Sequence, residues 1–598
     1  MSRGKRRRVV AEDAANEVEI VDELGAAPAG RKAVEADAEV ERELPSAFAP
    51  PVAAVLVFLA AGAVLMLEIL AVRLLAPYVG LTLETTTSII GAALAGIAVG
   101  AAVGGYLADR TNTRLLIVGL FVGGGMLSLL TVPIVHWLGP GARGEGDAAA
   151  LGITVIALVP AAAVLSAVSP AVAHLQLHDL RVSGTVVGRL SAWATAGALV
   201  GTFGTGFVLV PVMPINTAVL LIGVVLVLVG VALGARVKAV PVGILGGAIL
   251  LAGGLGALAQ ASESPCVKES EYHCLDIEKD PTKTAGYNLI LDGTYNSYVD
   301  LRDPTYLQYD YVRWIAQPVN ALFPAGEPLD AVFVGGGGFT LPRWLVATRP
   351  GSHAEVLEVD GDVVDLVEDR LGLRQSADLE ATVGDARITM LEIPDDSADL
   401  VVGDAFSGYT VPWHLTTAEW VDEVKRVLKP GGLYAMNLID FQPLDFVKAE
   451  AATLLDAFRY IRLTTFIGED GGPYGGNVVL LASDRPMGPK VGSSTSTAAT
   501  YPQAEVEALV GGAEPLRDDY APVDQVRTEE RLSVGDVVRR VASLTAVLCL
   551  LAAAPAASAG PGFGFGPIDA PTKQRMIGLS WHRGCPVGLG DLRLLKVR

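Results

Sequence analysis

Between residues 52 and 260 the chain consists almost wholly of apolar runs, each close to the roughly 20 residues that cross a bilayer as a helix. Seven runs stand out, at 52–76, 87–107, 114–136, 151–176, 184–212, 215–235 and 240–260. Pro160 and Pro170 in the fourth run and the glycines of the fifth suit bundled membrane helices, whose neighbours satisfy the freed backbone groups. Beyond residue 262 the pattern changes to short β-rich runs, charged helical stretches and regularly spaced turn signals. The predicted architecture is an N-terminal α-helical membrane bundle of about seven spans followed by a C-terminal α/β domain.

Five regions follow: an arm (1–48), a multi-span domain (49–261), a linker with a small β-subdomain (262–320), a Rossmann-like domain (321–530) and a tail (531–598). The arm opens with RGKRRR and has no large aromatic residue before Phe48, so it reads as disordered. Basic residues in the arm (Arg6, Arg7, Arg8) and at Arg110, Arg114, Arg181, Arg189, Arg236 and Lys238 fall on one side of the bundle. The other side has little beyond Arg143, offset by Glu145 and Asp147. The arm is therefore expected in the cytoplasm, and an odd number of spans puts the α/β domain outside. Cys266 and Cys274, eight residues apart, are either a disulfide suited to that location or two unpaired thiols.

In the tail, VVRRVASLTAVLCLLAAAPAASAGPG has the basic, apolar and small-residue layout of a secretory signal. The GLSWHRGCPVGLGDLRLLKV that follows resembles the opening of secreted D-alanyl-D-alanine carboxypeptidase-type zinc peptidases. The tail is either a fused piece of a neighbouring gene or an eighth membrane helix, and no catalysis is assigned to it.

Composition sharpens the picture. About half of the 598 residues are hydrophobic, too many for an ordinary soluble protein. A net charge of -20 argues against nucleic acid as a partner, and four cysteines exclude a disulfide scaffold or a Cys-rich metal site. No metal ligand set is expected.

Four strand-like runs in the α/β domain each end in a short polar residue or glycine. LDAVFVGGGG ends in Gly335, Gly336 and Gly337; HAEVLEVD in Glu358 and Asp360; LEATVGDA in Asp385 and Ala386; ADLVVGDAF in Asp404. Intervening stretches such as GDVVDLVEDRLGL suit crossover helices, giving a parallel sheet whose ligand lies beyond the strands' carboxyl ends. Glycines at the first turn allow close backbone approach, Glu358 can accept both ribose hydroxyls, and Asp385 can accept from an adenine amino group. The absence of Gly-Lys-Ser/Thr removes a P-loop, and Leu341 in place of the third Rossmann glycine argues against NAD. VDEVKRVLKPGGLYAMNL reads as a helix stopped by Pro-Gly-Gly before a strand, as in S-adenosylmethionine-type transferases.

LDGTYNSYVDL, VFVGGGG, EVLEVD, VGDAR, VVGDAF and DDYAPVD together resemble the spermidine synthase family (polyamine aminopropyltransferases). LEILAVRLLAPYVG in the first span resembles its membrane-fused branch, and the likeness covers about 50–530. The resemblance implies a transferase Rossmann sheet with a small N-terminal β-domain, here 285–302. It also implies decarboxylated S-adenosylmethionine as co-substrate with no prosthetic group, and a role in polyamine biosynthesis. Glu358 matches the family's ribose acid, Asp385 its adenine acid, and Asp404 the proton-accepting first Asp of its D-x-x-D loop. Other positions depart from the pattern. Gly338 stands where the family's GGGDG has Asp, Ser407 replaces the second loop Asp, and the Tyr-His-Glu element reads Tyr309-Asp310-Tyr311. Tyr309, Asp310 and Ser407 are the expected substrate contacts.

The sequence thus leads to a multi-pass cell-membrane enzyme that moves an aminopropyl group to putrescine or a related amine, with Asp404 as general base. Its expected partners are the bilayer, that amine and, in a homo-oligomer, a second copy of the chain. Two alternatives stand beside it: an S-adenosylmethionine-dependent methyltransferase on a membrane-associated substrate, which Gly338 favours, and a polyamine transporter or sensor with a non-catalytic ligand-binding domain. Both nucleoside donors are cytosolic, so an external domain favours the last. Glu68 and Arg73, five apart in the first span, are read as an ion pair or a substrate path. Asp109-Arg110 is weakly similar to loops of major-facilitator transporters. His414 is read as a loop or helix-start residue, and Tyr295, Tyr306, Tyr309 and Tyr311 as packing beside the amine site.

Overall fold

The structure, a computed structural model, describes residues 48–80, 83–142, 147–177, 183–236, 241–261, 264–468, 471–488, 491 and 497–523. The predicted arm up to residue 47, the tail, Arg143, Glu145, Arg181, Lys238 and the last Asp of DDYAPVD lie outside the described residues.

The apolar runs form helices α1 (Pro50–Val79), α2 (Leu83–Ala108) and α3 (Thr113–Leu138), and then a fourth pass in three pieces, α4 (Asp147–Ala157), α5 (Val159–Ser166) and α6 (Val168–Gln176). The breaks fall beside Pro160 and Pro170, because a proline removes a donor and crowds the preceding turn. Next come α7 (Ser183–Gly204), continued by a π turn to Val212, then α8 (Ile215–Arg236) and α9 (Val242–Ala261). Among the described residues six passes are long and apolar enough to cross a membrane. The expected seventh, α9, has a shorter apolar stretch, Gly243–Ala259. Helix α1 packs against α7 at backbone distance, since a Cβ on Gly62 would stand 2.9 Å from the carbonyl of Gly197.

Arg110, Arg114, Arg189 and Arg236 lie at the α2–α3 turn, the start of α7 and the end of α8, all at one end of the bundle. The α/β domain meets the opposite end. Arg73 of α1 donates to the carbonyls of Ser270 and Tyr272 at 2.6 Å each, and the Ile215 N–H donates to Glu269 Oε2 at 2.7 Å. The expected Glu68–Arg73 ion pair is not formed. Arg73 reaches outward to these carbonyls, and Glu68 Oε2 is buried with no hydrogen-bond partner. Cys266 and Cys274 are joined as a disulfide in the same connecting segment.

The small β-subdomain is a four-stranded antiparallel sheet, β1 (Lys268–Glu269), β2 (Cys274–Lys279), β3 (Gly286–Leu291) and β4 (Thr294–Asp300), in chain order. Helix α10 (Asp310–Leu322) leads into β5 (Asp330–Val334), α11 (Thr340–Thr348), β6 (His353–Glu358), α12 (Gly361–Leu371), β7 (Leu379–Val383), α13 (Ala386–Thr389) and β8 (Ala398–Gly403). These are the four predicted strands, all parallel, with crossovers between them. Helix α14 (Ala418–Val427) ends before Pro430, whose ring disfavours a helical preceding residue. The Lys-Pro-Gly-Gly stretch is already the start of β9 (Leu428–Phe441). Helix α15 (Asp445–Ala457), β10 (Tyr460–Ile467), β11 (Pro473–Ser483), β12 (Ala498–Tyr501) and α16 (Gln503–Val510) complete the domain.

The eight-stranded sheet runs β12-β10-β11-β9-β8-β5-β6-β7, with β11 antiparallel to β9. A mixed sheet of this order, with its switch point between β5 and β8, is the S-adenosylmethionine-type transferase arrangement. One face is closed by α10, α11 and α12 through Trp314, Ile315, Trp344, Leu345 and Val367; the other by α14, α15 and α16 through Trp420, Val424, Phe446 and Val506. The cleft therefore opens at the carboxyl ends of β5, β6, β7 and β8, under the small β-sheet.

Candidate functional site

The chain leaves β5 through Gly335, which has φ +95° and passes so close to β8 that a Cβ would lie 2.5 Å from the Asp404 carbonyl. Gly337, with φ +47°, faces the small sheet, where a Cβ would lie 2.7 Å from Asn296 Oδ1. Only glycine fits both the dihedral angles and the space. The Gly336 N–H donates to Glu358 Oε2 at 2.7 Å, so cradle and carboxylate are already joined.

Glu358 is 8% exposed, and burial raises its carboxyl above the ordinary range against the pull of the backbone N–H groups of Asp360, Gly336 and Gly337. Its Oε1 accepts from the Asp360 N–H at 3.0 Å, and Asp360 Oδ2 accepts from the Ser270 hydroxyl at 2.5 Å. Asp385 stands exposed at the end of β7, where Oδ1 caps α13 through the Arg387 N–H at 2.8 Å. Ala386 behind it is buried against the sheet. His414 Nε2 lies 3.4 Å from Asp385 Oδ1, so this loop histidine belongs to the site.

Asp404 follows β8 and is partly buried. Its Oδ1 accepts from Asn437 Nδ2 at 2.8 Å, Asn437 Oδ1 in turn accepts from Asn477 Nδ2 at 3.2 Å, and the Tyr311 hydroxyl also bonds the carboxylate. Burial pushes the Asp404 carboxyl up to about 7, although both bonds pull it down. Burial likewise raises the Tyr311 hydroxyl well above its usual value, so Tyr311 stays a donor.

Asp404, Asn437, Asn477, Tyr309, Tyr311 and Phe466 line a cavity of about 390 Å³ that reaches the β3–β4 turn. A second, narrower crevice of about 20 Å³ joins Asp404 and Tyr311 to Gly335 and Gly336. Tyr309 donates to Asn288 Oδ1 at 2.9 Å, and burial pushes its hydroxyl up to about 12. Asp310 lines the large cavity but is held by Arg313. Ser407 is exposed in a turn, its N–H donating to the Thr410 carbonyl at 2.8 Å, while Phe406, Gly408 and Tyr409 form the wall on either side of it.

The chain shares 27% identity over 150 residues with a polyamine aminopropyltransferase of Vibrio vulnificus, covering 25% of this chain and 50% of that one. It shares 25% over 170 residues with a probable polyamine aminopropyl transferase of Bifidobacterium longum, covering 28% and 36%. Its resemblance is to the spermidine synthases. The chain thus spans about half or less of the length of these curated relatives. A probable spermidine synthase from Corynebacterium glutamicum superposes with a TM-score of 0.39 at 26% identity, over 42% of this chain and 94% of that one. No protein-family model matches the chain.

Against the spermidine synthase pattern, the structure shows what stands in the altered positions. A Cβ on Gly338 would lie 2.8 Å from Val299 Cγ2 and 2.9 Å from Ser297 Cβ. The Gly338 N–H donates to Ser297 Oγ at 3.0 Å, so β4 fills the place of the Asp side chain. Sequence reasoning missed Asn437, Asn477, Ser270 and the pairing of His414 with Asp385. Asn437 lay in a recognised strand, whose alternation alone placed no constraint on which face met the cleft.

Proposed function

We propose that the α/β domain is a membrane-associated aminopropyltransferase that moves the aminopropyl group of decarboxylated S-adenosylmethionine to an amine. The observation that carries this reading is Asp404, a carboxylate raised to about 7 by burial, placed where the glycine-lined crevice meets the aromatic cavity. A general base works best with a pKa near the working pH. Glu358 accepts the ribose hydroxyls of the donor, Asp385 its adenine amino group, and Gly335, Gly336 and Gly337 let it approach the backbone. The amine enters the larger cavity beside Tyr309 and Tyr311 and is held and deprotonated by Asp404.

Calorimetry on the full-length protein, comparing decarboxylated with intact S-adenosylmethionine, followed by mass-spectrometric search for aminopropylated amine, tests this. Tighter binding of the decarboxylated donor with product formed is the expected result. Preference for the intact donor would make the protein a methyltransferase, the reading favoured by the filled space at Gly338.

A second reading, ligand binding without turnover, is favoured by sidedness. The α/β domain meets the end of the bundle opposite Arg110, Arg114, Arg189 and Arg236, and cytosolic donors do not reach an external face.

A further inference from the structure

We infer that the Cys266–Cys274 disulfide is a redox switch on donor affinity: closed, it holds the turn that steadies Glu358, and opened by a cellular thiol it lets that turn loosen. The inference rests on the transfer reading above.

The donor's compartment is the first argument. Transfer uses a cytosolic donor, and glutathione keeps cytosolic thiols reduced unless a disulfide there is transient, catalytic or redox-sensing. The segment that joins the α/β domain to the bundle nevertheless carries a bonded pair, Cys266 with Cys274. A transferase with both is one whose bond is made and broken in use.

Position says what the bond controls. Cys266 precedes β1 and Cys274 begins β2, so the bond closes the open end of a hairpin whose first strand is two residues long. At the tip of this hairpin the Ser270 hydroxyl donates to Asp360 Oδ2 at 2.5 Å, and the Asp360 N–H donates to Glu358 Oε1 at 3.0 Å. Glu358 Oε2 accepts from the Gly336 N–H at 2.7 Å, which carries the chain of bonds into the glycine cradle. Other tethers remain when the ring opens. Among them are Arg73 on the carbonyls of Ser270 and Tyr272, the Ile215 N–H on Glu269, and Lys268 with Asp362 at 2.7 Å and Asp365 at 3.4 Å. The Lys268 pairs are partly exposed and contribute little. Reduction therefore loosens the tip without releasing the hairpin, and the change is in affinity rather than fold.

Access fixes the order of the exchange. Cys266 is partly exposed and Cys274 is 7% exposed, so a thiolate attacks at Cys266 Sγ. A mixed disulfide forms there, the original S–S bond breaks, and its electron pair leaves on Cys274, which shares a narrow crevice with the cationic Arg73. A second thiol attacks the sulfur of the first and releases Cys266. Two thiols have become one disulfide, two electrons have passed to the cysteine pair, and the two protons given up end on Cys266 and Cys274.

The test uses the full-length protein in detergent, carrying Cys549→Ser and Cys585→Ser so that no other cysteine contributes. Calorimetry with decarboxylated S-adenosylmethionine is run on the oxidised protein, after excess reduced glutathione, and after reoxidation with oxidised glutathione; alkylation counts the free thiols at each stage. The expected result is two free thiols after reduction, donor binding weaker by about fivefold or more, faster amide exchange at Asp360, an unchanged far-ultraviolet spectrum, and recovery on reoxidation. Adding Cys266→Ser and Cys274→Ser should give the weaker affinity whether or not glutathione is present. A bond that resists glutathione, or reduction that leaves donor affinity unchanged, overturns the switch and leaves the transfer reading standing. Donor bound in neither state overturns both.

Discussion

Asn437 donates its side-chain amide to Asp404 at 2.8 Å and is itself held by Asn477 at 3.2 Å, so two antiparallel strands fix the one carboxylate among the described residues that faces both cavities. The ladder supplies donors without a positive charge. It orients the carboxylate, while burial keeps its proton affinity high.

Asp404→Asn should lower turnover by roughly 10²–10⁴-fold with little change in donor affinity. A carboxyl raised from 3.8 to about 7 on folding leaves the folded state at full stability only below about pH 4, and that stability is lost as pH rises from there to about 7. The variant should therefore unfold at a higher temperature than the parent at about pH 8 and at the same temperature at about pH 3. Unchanged turnover would remove Asp404 as the base.

The pH profile of the parent should fall on the acid side with a midpoint near 7, because protonated Asp404 cannot accept the amine proton. Asn437→Ala removes a bond that favours the ionised form, so the midpoint should move to higher pH. Steady-state rates across pH for both proteins check this, and a midpoint that stays in place would separate Asn437 from the titration.

Gly338→Asp would restore the family's residue but not its function. The side chain would meet Val299 and Ser297 at under 3 Å, and overpacking of this kind costs about 1–3 kcal/mol. Denaturant unfolding should show the loss, with no gain in donor binding by calorimetry.

Arg73→Ala should weaken donor binding several-fold while leaving the maximal rate nearly unchanged. Arg73 holds the Ser270 carbonyl, the Ser270 hydroxyl holds Asp360, and the Asp360 N–H bonds Glu358 at 3.0 Å. Arg73→Lys keeps one of the two bonds and should fall between. Equal loss of rate in both variants would point to a general collapse of the fold.

A reporter joined after Val523 discriminates between the functional readings. A cytoplasmic signal is expected if the domain transfers from a cytosolic donor; an external one favours ligand capture and agrees with the Arg-rich bundle end. Blocking free thiols before and after reduction checks the pairing of Cys266 with Cys274 in the same membranes.

Much of this was legible from the chain. The four strands ending at Gly335, Glu358, Asp385 and Asp404 carry their own periodicity and turn chemistry, and the sheet brings them to one edge. The fourth membrane pass was legible as a run but not as three pieces, because a proline in a bundled membrane helix can be tolerated as well as break it. Arg73 was misread because helical spacing offered Glu68 as a partner, whereas the carbonyls it binds lie almost two hundred residues on. Asn437 and Ser270 gave no signal for the same reason. Their importance comes from strand pairing and loop docking, which no local pattern encodes.

The connecting segment that carries Glu269, Ser270 and Tyr272 gives up a carboxylate and two carbonyls to partners in α1 and α8. Cutting the chain at residue 262 would return these groups to water and free the loop that steadies Asp360. The bundle therefore acts as a wall of the folded α/β unit rather than a leash, and a soluble fragment would be a different molecule from the one whose cleft is described.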